Sequence, residues 1–469
     1  MVNSIVWFRN DLRTADNAVI NYCIENKRKV LPVYIYDPST SLGSASKWWL
    51  KQSLISLNKS LKGNLIVIEG DPNQTLLDLV NKNGIKEILW NERYSKDDLN
   101  QDYEILNLLK NHGLKCITFH SCLLKNPQNT LKKDATPFRV YTPFYKQQYQ
   151  DMAYELFNYN TEEIDYVDCD GKEQISKILD EAIKPEKWHE KLLDKWSPGE
   201  AGAQEKLKVF LSNGLNGYTE GRNRPDKQHT SMLSPHIRFG EISIREVAKS
   251  VENINTEDAE IFYKELVWRE FSYHLLYHFP HLVDTNLQKK FDNLKWLDNQ
   301  DHLKSWQKGM TGYPIIDAGM RQLYETGYMH NRVRMIVGSF LVKNLMIHWK
   351  YGQEWFWDTL VDADIASNSA SWQWVAGTGA DAAPYFRIFN PVTQSKKFDP
   401  DGQYIRKYIP ELKNIPNKYI HLPSEIDNKL LVSYGVEIGK DYPSPIVDLS
   451  LSRERALSAF KKLSSPSNA

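Results

Sequence analysis

The stretch Leu360–Pro391 reads LVDADIASNSASWQWVAGTGADAAPYFRIFNP, and the interpretation of the whole chain depends on it. It combines carboxylates, an amide and indoles, namely Asp362, Asp364, Asn368, Trp372 and Trp374. Small residues around Gly377 and Gly379 allow a backbone or a flat ligand to approach closely. The stretch is too polar for a plain core helix and too aromatic for a solvated loop. We therefore predict that it forms the floor of a cofactor pocket.

The composition is that of a globular protein with room for two or three domains in 469 residues. Hydrophobic residues make up 41% of the chain, and no apolar run is long enough to cross a bilayer. The N-terminus, MVNSIVWFRNDLR, is typical of a first strand and not of a signal peptide. The four cysteines lack metal-ligand spacing, so we expect neither a metal site nor a disulfide framework. A cytoplasmic location and no membrane partner are expected.

The formal charge is balanced, with 59 Lys and Arg residues against 59 Asp and Glu residues. Domains that bind nucleic acids often have a net positive charge. Any binding to DNA must therefore depend on positive charge that is segregated to one surface.

The first 125 residues alternate between short apolar runs and helical patterns. The apolar runs are SIVWF, VLPVYIYD, NLIVIEG, KEILW and KCITFH, and the helical patterns lie at about 17–26, 44–62, 73–83 and 96–111. This alternation predicts an α/β domain with a parallel, doubly wound sheet. Asp16 and Ser44 are the predicted caps of the first two helices. No GxGxxG follows the first strand, so the ordinary dinucleotide fingerprint is absent.

Three regions are predicted along the chain. Residues 1–125 form the α/β domain, residues 126–199 form a polar and irregular connector with a short helix at about 172–182, and residues 200–469 form an all-α domain. After Tyr404 the helical regularity is lost, and the terminal SSPSNA is predicted to be a frayed tail.

A first candidate site lies at 218–240, YTEGRNRPDKQHTSMLSPHIRFG. Thr230, Ser231 and Ser234 supply hydroxyl groups just before a helical pattern, and the start of a helix is a natural phosphate site. Arginines and a lysine add positive charge nearby. A capped helix beside a solvated basic loop is the alternative, and spacing alone does not decide between the two.

A second candidate is ELVWREF at 265–271, where Glu265 and Trp268 share one face of a helix. A carboxylate beside an indole suits a ring that is both stacked and hydrogen-bonded. For this helix alone, a core tryptophan with a surface ion pair is the simpler interpretation.

A third candidate is GYPIIDAGMRQLYETGYMHNRVRM at 312–335, which predicts a helix, a glycine break and a second helix. Asn331, Arg332 and Met335 would face one cavity. Arg334 would pair with a buried carboxylate such as Asp362. Such a pair fixes the positions of its two side chains more than it stabilises the fold. His330 by itself is more typical of a packed or capping histidine than of a catalyst.

Together these stretches resemble the DNA photolyase/cryptochrome family over nearly the whole chain. The motifs WFRNDLR, TSMLSP, ELVWREF, TGYPIIDAGMRQL and MHNRVRM and the stretch at 360–391 occur in the order and spacing of the family. The chain is most similar to microbial photolyases that act on cyclobutane pyrimidine dimers. SNSASWQW and GADAAPYFRIFNP are similar to the group nearest the plant cryptochromes.

The resemblance implies a U-shaped FAD in the helical domain, reduced to FADH⁻. Asn368 would lie at flavin N5, where a neutral amide can form a hydrogen bond whether or not N5 is protonated. A carboxylate at this position is typical of plant cryptochromes. The residues implied to bind FAD are Tyr218, Thr230, Ser231, Met232, Leu233, Ser234, Arg334, Asp362, Asp364 and Asn368.

The implied activity is light-driven repair of cyclobutane pyrimidine dimers in DNA. Excited FADH⁻ donates an electron to a flipped-out dimer, the ring splits and the electron returns, and flipping costs least at a damaged site. Trp268 and Trp374 would flank the dimer, and Glu265 would stabilise its radical anion. Asn331, which is a histidine in (6-4) photolyases, would line the same cavity with Met335. Contacts to the DNA backbone are implied for Arg222, Arg332, Arg387, Gln394 and Lys396.

Three tryptophans match the photoreduction chain of the family, in the order Trp372 nearest the flavin, Trp349, and Trp296 toward solvent. Judged from one helix alone, each would be a core residue. An antenna chromophore is implied near ASKWWLKQSL and WNERYSKDD of the N-terminal domain. Methenyltetrahydrofolate is the expected antenna, with a deazaflavin as the alternative.

Two other functions fit the resemblance in part. A cryptochrome photoreceptor would share the fold and FAD but not repair DNA, and Asn368, Glu265 and the expected lack of a long C-terminal signalling extension are evidence against it. A DNA-binding module that holds FAD without turnover is the other alternative. We expect the protein to be a monomer.

Overall fold

The computed structural model describes residues 2–169, 179–181, 183, 187–381 and 387–464. The chain forms two compact units. The first unit consists of Met1–Asn216, Ser231–Pro280 and Val361–Asp364, and the second consists of Gly217–Thr230, His281–Leu360 and Ile365–Ala469. The domain boundaries after residues 125 and 199 stay predictions.

A parallel sheet organises the first unit, and its main strands coincide with the five predicted apolar runs. These strands are β1 (Asn3–Phe8), β2 (Lys29–Tyr36), β3 (Ile66–Glu69), β4 (Glu87–Asn91) and β5 (Lys115–Phe119). They lie in the order β3-β2-β1-β4-β5 and pair in parallel. The predicted doubly wound α/β architecture is confirmed.

The central strand β1 explains why the apolar runs are continuous. Ile5 pairs with Leu31 of β2 on one side and with Ile88 of β4 on the other. All three side chains are fully buried in one hydrophobic cluster, together with Trp7 and Trp90. Parallel strands that are covered on both faces need apolar residues in succession rather than in alternation.

The crossover helices lie where the sequence predicts them, at α1 (Ala18–Glu25), α2 (Ser44–Ser60), α3 (Pro72–Asn83) and α4 (Lys96–Asn111). The two predicted caps are wrong by one residue. Asn17 caps α1 by accepting a hydrogen bond from the N–H of Val19, and Gly43 precedes α2. The carboxylate of Asp16 instead accepts hydrogen bonds from Phe157 N and Arg245.

The region predicted as an irregular connector contains regular elements. They are α5 (Tyr141–Gln148), β6 (Asp165–Tyr166) and 3₁₀ helices at Pro127–Asn129, Thr161–Glu163 and Lys187–Asp194. Strand β6 adds to β2, where Asp165 pairs with Lys29 and Tyr166 pairs with Val30. The helix predicted at about 172–182 lies outside the described residues except for 179–181.

The described remainder of the chain is helical from Glu200 onward, as predicted. The first unit adds α6 (Glu200–Val209), α8 (Ser234–Arg238), α9 (Ile244–Glu252) and α10 (Glu257–His278). The second unit contains α7 (Tyr218–Gly221), α11 (Gln300–Gln307), α12 (Pro314–Thr326), α13 (Asn331–Ser339), α14 (Trp349–Thr359), α15 (Ile365–Ala376), α16 (Pro391–Phe398), α17 (Gln403–Tyr408), α18 (Asn428–Ser433) and α19 (Leu449–Ser464).

The predicted loss of regularity after Tyr404 is wrong, because helices α18 and α19 lie in this part of the chain. The predicted frayed tail falls outside the described residues except for Ser464. Within the described ranges, no helix combines the length and the apolar character that crossing a membrane requires.

Candidate functional site

Two carboxylates of the stretch at 360–391 are held within the first unit. Asp362 Oδ2 accepts a hydrogen bond from Ser234 Oγ at 2.7 Å, and Asp364 Oδ2 accepts one from the hydroxyl of Tyr273 at 2.5 Å. Arg238 Nε donates to the carbonyl oxygen of Ala363 at 2.8 Å. The fold therefore brings three predicted cofactor-binding residues together, since Ser234, Asp362 and Asp364 share this network.

The hydroxyl-rich TSMLSP motif leads into a helix, as predicted. Met232 has a left-handed backbone with φ of 55°, and α8 begins two residues later at Ser234. Leu233 precedes the helix and provides no side-chain cap, while the Ser234 hydroxyl donates to Asp362. Because Pro235 has no N–H, the donors at this helix start are the N–H groups of Ser234 and His236, which can bind an anionic group such as a phosphate.

A buried charged network fixes the middle of α10. Glu270 accepts hydrogen bonds from Leu124 N at 2.8 Å and from Arg269 Nη1 at 3.0 Å. Burial raises the pKa of Glu270 to about 7, while the charge of Arg269 acts in the opposite direction. The guanidinium of Arg269 also lies 4.8 Å from the ring centre of Tyr273. This network holds the helix that carries Glu265 and Trp268.

Trp268 is stacked face to face on Tyr141 of α5. Their ring centroids are 3.7 Å apart and the rings are within 4° of parallel. The hydroxyl of Tyr141 donates to the carbonyl oxygen of Lys264 at 2.7 Å, which fixes the tyrosine against α10. Trp268 and Glu265 are each half-buried. One face of the indole is thus occupied, and a base can stack only on the other.

In the second unit, Arg332 connects three segments that carry predicted DNA-binding residues. Its Nη2 donates to Asn223 Oδ1, its Nη1 contacts Met335 Sδ at 3.6 Å, and its guanidinium lies 4.4 Å from the ring centre of Phe398. Asn223 follows Arg222 in sequence, and Phe398 ends the helix that carries Gln394 and Lys396. Arg332, Arg222 and this helix therefore lie in one region of the unit.

His330 caps α13, which agrees with the capping interpretation. Its Nδ1 accepts a hydrogen bond from the N–H of Arg332 at 3.2 Å. Burial, together with the charges of Arg332 and Arg334, lowers the pKa of His330 to about 4. The ring is therefore neutral at pH 7. Arg334 donates to the carbonyl oxygen of Met329 at 2.7 Å, and its pairing with Asp362 stays a prediction.

Two further predicted cofactor residues of this unit, Tyr218 and Thr230, lie in the segment that contains α7. Tyr218 is buried, and the guanidinium of Arg222 lies 5.8 Å from its ring centre. The ring of His229 covers Gly221 so closely that a Cβ there would lie 2.3 Å from its Cγ. Thr230 is half-buried at the end of this segment.

Helix α15 presents the amide and both indoles of the stretch at 360–391. Asn368 Nδ2 donates to the carbonyl oxygen of Gln353 at 3.0 Å. Trp372 is buried, with ring centroids 5.0 Å from Phe356 and 6.2 Å from Trp306. Trp374 is half-buried. The sequence interpretation missed Trp306 and Phe356, which fix the position of Trp372.

The other two tryptophans of the predicted photoreduction chain differ in exposure. Trp349, the first residue of α14, is fully buried, and its Nε1 donates to Asn286 Oδ1 at 3.0 Å. Trp296 is half-buried and packs beside a small cluster that includes Leu294 and Met346. Trp296 is thus the more exposed of the two indoles, and the direction of electron transfer through them stays a prediction.

Arg387 is exposed, and its carbonyl oxygen accepts a hydrogen bond from the buried Lys343 Nζ. Burial, with a smaller contribution from the charge of Arg387, lowers the pKa of Lys343 from 10.5 to about 7. The unfolded chain therefore binds this proton more tightly than the folded chain, so stability rises with pH between about 7 and 10.5. In the Lys343→Met variant, this increase in the free energy of unfolding with pH, which is on the order of 3 kcal/mol, is expected to be absent.

Urea unfolding at pH 7 and at pH 9.5 measures this difference, each value lying within the stated pH window. The exposed Lys407→Met variant is the control for loss of a surface charge. If the stability of Lys343→Met and of the unmodified protein changes equally with pH, the shifted lysine is not the source of the pH dependence.

Two family models match the chain. One is described as DNA photolyase and matches residues 4–162, and the other is described as the FAD binding domain of DNA photolyase and matches residues 262–462. The first spans the strands β1 to β5, and the second begins within α10 and ends within α19.

Individual proteins are similar over nearly the full chain. A deoxyribodipyrimidine photo-lyase of Agrobacterium fabrum is 46% identical over 465 residues, which are 97% of each chain. Cryptochrome-1 of Arabidopsis thaliana is 33% identical over 98% of this chain and 70% of its own length. The crystal structure of a bacterial class III photolyase from Agrobacterium tumefaciens superimposes with a TM-score of 0.94 at 44% identity, and the match covers 99% of this chain and 98% of that one.

Proposed function

This chain belongs to the DNA photolyase/cryptochrome family, and from that premise we propose that it is a deoxyribodipyrimidine photo-lyase, which uses light to repair cyclobutane pyrimidine dimers in DNA. The observation that carries the proposal is the 46% identity to a deoxyribodipyrimidine photo-lyase across 97% of both chains. The cryptochrome is more distant, at 33% identity.

We infer that FAD is the resident cofactor, because residues 262–462 match the FAD binding domain of DNA photolyase. The start of α8 suits a diphosphate, because Ser234 carries a hydroxyl there and no side-chain cap occupies the helix start. When bound as FADH⁻, the cofactor supplies the electron that splits the dimer after light is absorbed. The proposed binding residues are Tyr218, Thr230, Ser231, Met232, Leu233, Ser234, Arg334, Asp362, Asp364 and Asn368.

The orientation of Asn368 supports its proposed place at flavin N5. Its Nδ2 is committed to the carbonyl oxygen of Gln353, so Oδ1 can accept a hydrogen bond from the N5–H of a reduced flavin. A neutral amide binds the N5–H of the flavin without adding a charge beside it. This chemistry favours the repair-active cofactor over the photoreceptor alternative.

We propose that Trp268, Trp374, Glu265, Asn331 and Met335 bind the flipped-out dimer. Tyr141 covers one face of Trp268, so the indole is preorganised to stack on a base with the other face. Glu265 lies one helical turn before Trp268, where its carboxyl group can form a hydrogen bond to a pyrimidine edge. The half-buried position of both side chains keeps the contact accessible while limiting water.

The DNA backbone would be bound by Arg222, Arg332, Arg387, Gln394 and Lys396. Arg332 is held by Asn223 and Phe398, so little side-chain freedom remains to be lost on binding. Contacts of this kind position the duplex and do not read its sequence. We further propose that the protein is a cytoplasmic monomer.

An antenna chromophore in the α/β part is also proposed, with methenyltetrahydrofolate first and a deazaflavin second. The stretch ASKWWLKQSL forms the start of α2, where Trp48 and Trp49 are both buried. Trp49 Nε1 donates to Glu241 Oε1 at 3.0 Å, so this indole is part of the core. The absorbance spectrum of the purified protein distinguishes the two chromophores.

The proposed activity is tested with UV-irradiated oligo(dT), compared in light and in darkness with chemically reduced, flavin-loaded protein. Light is expected to reverse the dimer absorbance, and darkness is not. If illumination leaves the dimers intact, the protein is not a repair enzyme, and the photoreceptor and DNA-binding alternatives become the better interpretations.

Trp268→Ala is expected to weaken binding to dimer-containing DNA by about 1–3 kcal/mol, because a base loses its stacking partner. Binding to undamaged DNA is expected to change much less. Tyr103→Ala, which removes an exposed aromatic ring from α4, is the control. Titration of both DNAs by fluorescence anisotropy measures the effect, and an unchanged affinity for damaged DNA would remove Trp268 from the site.

A further inference from the structure

His348 lies against the two outer tryptophans of the predicted photoreduction chain. Its ring centroid is 5.3 Å from that of Trp349 and 5.1 Å from that of Trp296. The ring is tilted by 31° to the first indole and meets the second nearly edge-on, at 67°. One imidazole therefore contacts both the buried indole and the half-buried one.

The main chain fixes this ring in place. His348 caps α14, and its Nδ1 accepts a hydrogen bond from the N–H of Lys350 at 3.1 Å. The N–H of Leu297 donates to the carbonyl oxygen of Met346 at 2.7 Å, which ties the residue after Trp296 to the segment that precedes His348. The contact between the three rings is thus set by backbone geometry.

The surroundings of Trp349 suit an indole that, once oxidised, accepts an electron from the next indole. Its Nε1 donates to the amide oxygen of Asn286, whose Nδ2 in turn donates to Asp292 at 2.7 Å. An amide oxygen is a very weak base, so an oxidised Trp349 keeps its proton and remains a strong oxidant. Trp296 is half-buried and can release its proton to water once it is oxidised.

We propose that His348 is a positioning residue that bridges Trp349 and Trp296 during photoreduction of the flavin, an inference that rests on the proposed tryptophan chain. In this step one electron passes from Trp296 to oxidised Trp349, so Trp349 is restored and Trp296 becomes oxidised. The original oxidant is the light-excited, oxidised flavin. His348 is not oxidised in this step, because imidazole is harder to oxidise than indole, and the proton that Trp296 releases goes to water.

The charge state of His348 agrees with this role. Burial lowers its pKa below the ordinary value, and the charge of Lys350 lowers it further. Lys350 is itself paired with Asp284 at 3.0 Å. A neutral ring adds no repulsion beside an indole that becomes transiently cationic.

Capping alone does not require an imidazole, since asparagine is among the best residues at this position. Two variants therefore distinguish the role of the imidazole ring from that of the capping hydrogen bond. His348→Asn keeps a capping oxygen for the N–H of Lys350 and removes the ring, whereas His348→Phe keeps an aromatic ring and removes the cap.

The experiment is time-resolved absorption of indole radicals after a blue flash on protein loaded with oxidised flavin, combined with thermal unfolding. His348→Asn is expected to lower the yield of the long-lived Trp296 radical several-fold, with a nearly unchanged unfolding temperature. His348→Phe is expected to keep most of that yield and to unfold at a lower temperature. Asp427→Ala, which removes the cap of α18, controls for cap loss elsewhere and should leave the radical yield unchanged.

A His348→Asn variant with the full radical yield would overturn the proposal, and so would a folded His348→Phe variant that loses the radical. If Trp296→Phe leaves the long-lived signal unchanged, the tryptophan chain itself is wrong and the bridge fails with it. Repair by chemically reduced protein is expected to be unaffected in both His348 variants. A loss of repair would show that His348 supports the flavin pocket and would also overturn the bridging role.

Discussion

Trp372→Phe is expected to abolish photoreduction of the oxidised flavin while repair by chemically reduced protein stays nearly intact. Phenylalanine is much harder to oxidise than tryptophan, so the first electron transfer to the flavin is lost. Repair uses the electron of an already reduced cofactor and does not need this residue. Flavin absorbance under blue light with an added reductant measures the first effect, and dimer reversal measures the second.

The matched control for Trp372→Phe is Trp306→Phe. Trp306 is fully buried and contacts the ring of Trp372, but it is outside the proposed chain. Its replacement reports the effect of altered packing alone and should leave photoreduction in place. If Trp372→Phe removes both photoreduction and repair, the indole shapes the pocket instead of conducting electrons.

Gly352→Ala is expected to destabilise the protein by about 3 kcal/mol or more, the upper end of the usual cost of overpacking. A Cβ at this position of α14 would lie 2.1 Å from Trp372 Cη2. The indole has no room to withdraw, because it is buried against Phe356 and Trp306. Urea unfolding measures the loss.

Gly338→Ala provides a graded comparison on α13. Its Cβ would lie 3.1 Å from Val375 Cγ1 and 3.6 Å from the nearest atom of Trp372, so small shifts accommodate it. The expected cost is about 1 kcal/mol, and the higher helix propensity of alanine offsets part of it. If the two variants lose equal amounts of stability, the close contact with Trp372 is not the cause of the destabilisation by Gly352→Ala.

The fold was predictable where burial imposes a pattern along the chain. The five strands appear in the sequence as apolar runs because helices cover the sheet. Strand β6 could not be found in this way, since Asp165 and Tyr166 join the sheet through main-chain bonds and follow no apolar pattern. Helix α19 was missed because its buried residues, such as Ala456, are separated by exposed charged ones.

Within the site, only neighbours on one helix were predictable from spacing. Glu265 and Trp268 lie on α10 at i and i+3, and α10 is helical as predicted. The contacts of Trp268 with Tyr141 and of Asp364 with Tyr273 join segments that are far apart in sequence. No local pattern marks such partners. The family resemblance supplied the roles of the site residues, and residue spacing alone did not.

The pairing of β6 bears on how this protein can be divided for expression. Lys29 and Val30 use one set of main-chain groups for β1 and the other set for Asp165 and Tyr166. A truncated fragment that stops at residue 125 would leave this part of β2 as an open edge, which is a template for aggregation. The N–H of Val167 also donates to the carbonyl oxygen of Val30. A fragment that extends beyond Val167 would therefore keep that edge paired and would not aggregate through it.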